Sequence, residues 1–300
     1  MSKSVALVLS SGGARGVAHI GVIEALLAEG YNITSISGCS MGAVVGAVYA
    51  AGELEAYKNW LCNLDKLDVF KLIDFTLSTQ GFIRGERVFK EMKKFLHERK
   101  IEDLNIPFVA NATDIVNGKE VIFKSGSIYD AIRASSAIPS VLKPSIINKV
   151  ELVDGGVLNP LPISNITRTT NDLLIVSDVN APIKYAQRNI SSQARKASAN
   201  HYKILLDQFV KKWSDFLPKK DLTPIGHEKS PQIKFGYLDL MNQSINLMQD
   251  RLAAHTIAQY PPHQIVNISR DAGGAFDFYR AEELIEAGKQ AFYKTYKPNV

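Results

Sequence analysis

Cysteine is nearly absent: the 300-residue chain has two, Cys39 and Cys62. They cannot build a disulfide framework and make no metal-ligand spacing, so a stapled scaffold is excluded and a reducing compartment fits best. No apolar run reaches the roughly 18 residues a membrane-crossing helix needs. The short run from Val5 to Leu9 is too brief for a signal-peptide core followed by a cleavage site. No stretch is dominated by serine, glutamine, proline or charge of one sign, and no internal repeat recurs, so wholesale disorder is not expected. The expected location is the cytoplasm, with any membrane contact peripheral.

What is present is core-forming material. A hydrophobic content of 46% over 300 residues suffices for one large α/β domain or two smaller ones. The net charge of +5 is compatible with anionic lipid surfaces or nucleic acid, but a solubilising surplus is the better reading. Nucleic acid is not an expected partner.

Val5-Ala-Leu-Val-Leu9 is a continuous apolar run ending at Ser10-Ser-Gly-Gly, the pattern of a strand buried on both faces. From Arg15 the apolar positions Val17, Ile20, Val22, Ile23, Leu26 and Leu27 recur at helical spacing and stop at Gly30. Ile33–Ser37 is a second short strand, and Met41–Ala51 a second helix closing at Gly52. Two strand–glycine turn–helix units in succession argue for a parallel sheet covered by helices. Phe108–Thr113 and Glu120–Phe123, joined by Asn117-Gly118, predict an antiparallel pair, Tyr129–Ser136 a helix, and Leu173–Asp178 another buried strand. A terminal helix from Phe278 is expected to pack on the core, with Asp277 placed to cap it. Between about 191 and 259 the character changes, and a helical cap or lid within one 1–300 domain is expected there. Its basic and aromatic residues around Lys211-Lys-Trp213 and Phe216–Lys220 suit either a membrane surface or a helix packed on the core.

Three segments carry chemistry. Gly38-Cys39-Ser40-Met41-Gly42 is G-x-S-x-G between a strand and a helix, the setting of a nucleophile elbow. Flanking glycines relieve the close contacts of so sharp a turn, and the helix start offers partial positive charge. The plainer alternative for Ser40 is a helix-capping hydroxyl. Ser10-Ser11-Gly12-Gly13-Ala14-Arg15-Gly16 brings unobstructed backbone N–H groups together at a helix start, an arrangement suited to anions. A nucleotide cradle fits poorly, because Ser11 replaces the first glycine of the dinucleotide pattern and the P-loop Lys-Ser/Thr ending is missing. Asp154-Gly155-Gly156 ends the strand-like Val150–Val153, although an ordinary Asp-Gly turn reads the same way.

Taken in order, the glycine-rich loop, G-x-S-x-G and the later D-G-G make the chain resemble the patatin-like phospholipase family. The likeness extends to Gly81-Phe-Ile-Arg-Gly85, Ala131–Pro139 and Asp154–Pro162, covering residues 4 to 180. Gly274–Phe278 and the following helix also look like small bacterial members, whereas 191–259 has no counterpart. One departure is Ser11, where many members carry a further glycine. The resemblance implies a three-layer α/β fold, a mostly parallel central sheet with helices on both faces. It implies a Ser40–Asp154 dyad, with the amides of Gly12, Gly13 and Ala14 as the oxyanion hole and Ser11, Arg15, Gly16, Gly38, Gly42, Gly155 and Gly156 as supporting positions. The implied substrate is a phospholipid or other acyl ester, cleaved through an acyl-enzyme with no metal or organic cofactor.

Two rivals remain at this point. An α/β-hydrolase with a Ser-His-Asp triad shares the elbow, but needs several strands before the nucleophile, and only about one precedes Ser40. A lipid- or effector-binding protein on the same scaffold is the non-enzyme rival, since fold alone does not fix function. His19 is expected to be a packed helix residue, and His97, His201, His227, His255 and His263 lie in no motif.

Overall fold

The computed structural model describes residues 3–78, 81–185 and 237–296. The chain divides into two compact units, Met1–Tyr185 with Met241–Val300, and Ala186–Leu240. Of the second, only residues 237–240, the start of a helix, are described. The stretch around 211–220 and most of the expected cap lie outside the described residues.

The first unit is built on a mixed sheet. Its first strand, β1 (Lys3–Leu9), is apolar from Val5 onward and fully buried from Val5 to Leu9, as a strand covered on both faces must be. It lies between β2 (Tyr31–Cys39) and β10 (Leu173–Ala181), parallel to both, and β11 (Gln264–Ser269) extends the sheet beyond β10. On the other side β2 pairs in parallel with β5 (Phe108–Asp114), and antiparallel strands β6 (Lys119–Phe123), β9 (Val150–Asp154) and β8 (Ser145–Ile147) complete it. A separate small sheet holds β3 (Phe75–Ser78), β4 (Gly81–Ile83) and β7 (Ser140–Leu142).

The helices follow from sequence periodicity and small residues. α1 (Ala18–Ala28) ends at Gly30, whose φ of 76° suits glycine. The expected helix start at Arg15 is instead a tighter 3-10 turn, Gly13–Val17. α2 (Met41–Ala50) follows β2, and α3 (Leu54–Cys62), α4 (Lys66–Leu72) and α5 (Glu86–Leu96) precede β5. α6 (Ile128–Ser135) lies between β6 and β7, α7 (Tyr237–Gln259) leads into β11, and α8 (Ala281–Thr295) closes the described chain. α8 returns to the core as expected and crosses α1 where Gly21 and Gly288 meet the opposing main chain, so closely that a methyl at either would collide with a carbonyl. Asp277 does not cap it. Its carboxylate accepts from the Gly274 N–H at 2.9 Å and pairs with Arg280, because a short 3-10 turn, Phe278–Arg280, intervenes.

Candidate active site

β5 is the template on which the site is assembled. Its residues 108–111 pair with β2 and residues 112–114 with β9, while β6 occupies the opposite edge. β2 and β9 therefore share one edge of β5 and run toward each other. Cys39 faces Asn111 and Asp154 faces Ala112, so two residues 115 apart in sequence oppose consecutive positions of a single strand. Consecutive strand positions lie about 3.3 Å apart along the chain, which brings the end of β2 to Asp154.

Ser40 stands at the turn from β2 into α2 with φ 53° and ψ −122°, backbone angles that a non-glycine residue seldom adopts. Such strain persists only where surrounding structure fixes it. Here the Ser40 N–H donates to Ser135 Oγ at 2.9 Å, and the turn is pressed against its neighbours from both sides. A methyl on Gly38 would strike the Gly42 carbonyl, and one on Gly42 the carbonyls of Leu9 and Ser10, which is the physical reason for glycine on either side of the serine. The Ser40 side chain makes no capping bond to α2, so the capping alternative fails. Ser37 Oγ donates instead to the Pro162 carbonyl at 2.9 Å.

Asp154 is buried, with Oδ1 accepting the Gly156 N–H at 2.7 Å and lying 3.8 Å from the Cys39 thiol. Burial pushes its carboxyl up to about 6, partly offset by the Ser40 hydroxyl, the Gly156 N–H and the Cys39 thiol, all of which favour the anion. The weak base that an ordinary aspartate would be is thus brought close to neutral pH. Gly155 and Gly156 open a 3-10 turn, and the Gly156 carbonyl accepts from Gln249 Nε2 of α7 at 2.9 Å.

The glycine-rich loop is pinned through both its main chain and the Arg15 side chain. His19 is fully buried with its pKa lowered to about 4 by burial, so it is neutral. Its Nε2 lies 3.0 Å from the Ser10 carbonyl, which can only accept, so Nε2 carries the proton and Nδ1 accepts from the Ser177 hydroxyl at 2.8 Å. His19 thereby holds the loop and is no base for Ser40. Arg15 donates to Asn180 Oδ1 at 2.9 Å and to the Gly273 carbonyl at 3.2 Å, and Gly16 packs on Met41. Of the three expected oxyanion donors, Ala14 is excluded in this conformation, because its N–H donates to the Ala275 carbonyl at 2.9 Å. The amides of Gly12 and Gly13 have no acceptor among the described residues. Ser11, the departure from the family pattern, keeps its N–H on the Pro160 carbonyl at 2.9 Å.

Several contributing residues carry no motif. Ser135 sits in the Ala131–Pro139 stretch that contributes to the family resemblance, but nothing in the sequence marks its hydroxyl as the support of Ser40. Asn180 and Gln249 have no local signal. Glu120 Oε1 collects the side-chain amides of Asn111, Asn159 and Asn165 at 2.8–3.0 Å, tying β6 to the turn after Asp154. Of the other histidines, His263 Nδ1 accepts from the Leu174 N–H at 2.8 Å, and no histidine bonds to Ser40 or Asp154 among the described residues. A surface hollow of about 550 Å³ lined by Phe70, Lys71, Ile73, Asp74, Arg84, Glu86 and Arg87 includes none of the residues just described. No group of three or more His, Cys, Asp and Glu side chains suited to a metal occurs among the described residues.

A strained serine at a strand-to-helix elbow thus lies beside a buried aspartate and a glycine-rich loop in which two amides have no acceptor among the described residues. Residues 7–166 match the patatin-like phospholipase family model. The chain belongs to the patatin-like phospholipase family. It is 36% identical to an uncharacterised NTE family protein of Mycobacterium tuberculosis over 96% of this chain and 90% of the relative. It is 32% identical to lysophospholipase NTE1 of Cryptococcus neoformans over 60% of this chain but 11% of that protein. Among solved structures, VipD from Legionella pneumophila resembles it with a TM-score of 0.44 and 13% identity, over 98% of this chain and 67% of that one.

Proposed function

We propose that this protein is a serine lipid acyl hydrolase that cleaves carboxylic esters of phospholipids or related acyl lipids. The observation that carries the reading is Asp154, held near a pKa of 6 beside a strained Ser40. In the first step Ser40 Oγ attacks the ester carbonyl carbon while Asp154 takes the hydroxyl proton. The carbonyl electrons move onto oxygen, where the Gly12 and Gly13 amides stabilise them; one such donor is worth about 3 kcal/mol. Collapse of this intermediate breaks the ester C–O bond, and the departing alcohol takes the proton from Asp154. Water then attacks the acyl-enzyme, giving its proton to Asp154, and Ser40 recovers a proton as the fatty acid leaves.

Apolar side chains lie exposed next to the site in the chain: Val157 and Leu158, each 37% exposed, follow directly on the Asp154 turn. No helix among the described residues is long and apolar enough to cross a membrane. The test is fatty-acid release from phosphatidylcholine or a long-chain p-nitrophenyl ester. Ser40→Ala and Asp154→Asn are each expected to lower turnover by about 10⁴-fold or more. Wild-type turnover in either variant, or activity that depends on a histidine instead, contradicts the dyad.

A further inference from the structure

We infer that Asn180 is a positioning residue that aims the Gly12 amide at the substrate's oxyanion, and that α7 holds Asn180 in place through Asp250 and Arg270. The inference rests on the serine-hydrolase reading above.

The Ser11 carbonyl and the Gly12 N–H belong to one trans peptide unit, so they point in opposite directions and fixing one fixes the other. The Ser11 oxygen accepts from Asn180 Nδ2 at 2.6 Å and from Ser10 Oγ at 3.0 Å, on the side away from the Gly12 N–H. Gly12 has no side chain of its own to orient the loop, and a methyl there would collide with Val179. Control of this amide therefore falls to the groups that grip the carbonyl behind it.

Asn180 is itself held at both of its oxygens. Arg15 donates to Oδ1 at 2.9 Å, which decides the amide's orientation and leaves Nδ2 facing Ser11. Arg270 donates to the Asn180 main-chain oxygen through Nε at 3.1 Å and a terminal nitrogen at 2.6 Å, and that nitrogen also meets Asp250 Oδ1 at 2.6 Å. Asp250 and its neighbour Gln249 thus connect α7 to the two halves of the site: Gln249 to the turn after Asp154, Asp250 through Arg270 and Asn180 to the amide of Gly12. Docking of this part of α7 is a condition for an assembled oxyanion hole.

The experiment compares the full-length wild type with Asn180→Asp, Asn180→Leu and Asp250→Asn on a soluble short-chain ester. The Asn180→Asp change preserves the side chain's shape and its pairing with Arg15, but the ionised carboxylate cannot donate to Ser11. Asn180→Leu keeps a similar volume and has no donor. For both Asn180 variants kcat is expected to fall about 10- to 100-fold, below the full loss of a donor because the amide is misaimed and not removed. KM should stay within about twofold, and affinity for a trifluoromethyl ketone, which forms a tetrahedral adduct with an oxyanion, should fall in parallel with kcat. Asp250→Asn should show the same pattern more weakly. Wild-type kcat in folded Asn180→Leu, or a loss confined to KM, overturns the inference. A wild type that neither hydrolyses ester nor reacts with the ketone overturns instead the functional reading beneath it.

Discussion

The Cys39 thiol and the Asp154 carboxylate meet at 3.8 Å, on the same oxygen that accepts the Gly156 N–H. The first x of the elbow pentapeptide, Cys39, is therefore part of the Asp154 environment. The thiol favours the anion, so its removal should raise the Asp154 pKa. Cys39→Ala is expected to move the acidic limb of kcat/KM upward by about a few tenths of a pH unit, read from a pH–rate profile. A limb that stays in place or moves down contradicts this role. In the wild type the limb itself should lie near pH 6.

Ionised Asp154 opposes folding stability. Its pKa of about 6 in the folded chain exceeds the ordinary 3.8, so between those values the folded state holds a proton that the unfolded state has lost. Stability from this group accordingly falls as pH rises from about 4 to 6, and the penalty levels off above that at roughly 3 kcal/mol. Asp154→Asn should be inactive yet more stable than wild type at pH 8, with the advantage shrinking toward pH 4. Thermal or urea unfolding at both pH values checks this.

His19 has the opposite linkage. Burial lowers its pKa from 6.5 to about 4, so the unfolded state binds a proton first as pH falls, and stability is lost between those values by about 3 kcal/mol. His19→Gln should remove this acid sensitivity while lowering stability at pH 7 through the lost bond network around Ser10. The limb near pH 6 should remain in the variant's residual activity, because it belongs to Asp154. A limb that disappears with His19 would make the histidine the base.

Gly42→Ala should destabilise the fold by on the order of 3 kcal/mol, since the added methyl meets the carbonyls of Leu9 and Ser10 and cannot be accommodated by a side-chain rotation. Gly30→Ala is the control, with open space around its site; its strain comes from the φ of 76° alone. Urea denaturation separates the two, and equal losses would contradict the close packing of the elbow.

Much of the site is legible in the sequence because local chemistry marks it. An apolar run broken by glycines announces β1 and its loop, and G-x-S-x-G between strand and helix announces the elbow at Ser40. Asp154 is legible only in company, since an isolated Asp-Gly is an ordinary turn. The supports are not legible: Ser135 reaches Ser40 across 95 residues and Asn180 reaches Ser11 across 169, distances over which no spacing rule operates. Ala14 departs from the expected donor set because its acceptor, Ala275, arrives from the far end of the chain. Asp277 fails as a cap for a more local reason, a 3-10 turn that displaces the helix start by three residues. β4 and β7, three residues each, are too short to show a period of two.

The most direct measurement is intact and peptide mass spectrometry of the protein after incubation with a long-chain alkyl organophosphonate ester. The expected result is one adduct, mapped to Ser40, absent in Ser40→Ala and strongly slowed in Asp154→Asn. An unmodified wild type under conditions that label other serine hydrolases, or an adduct on a different residue, would contradict an activated Ser40.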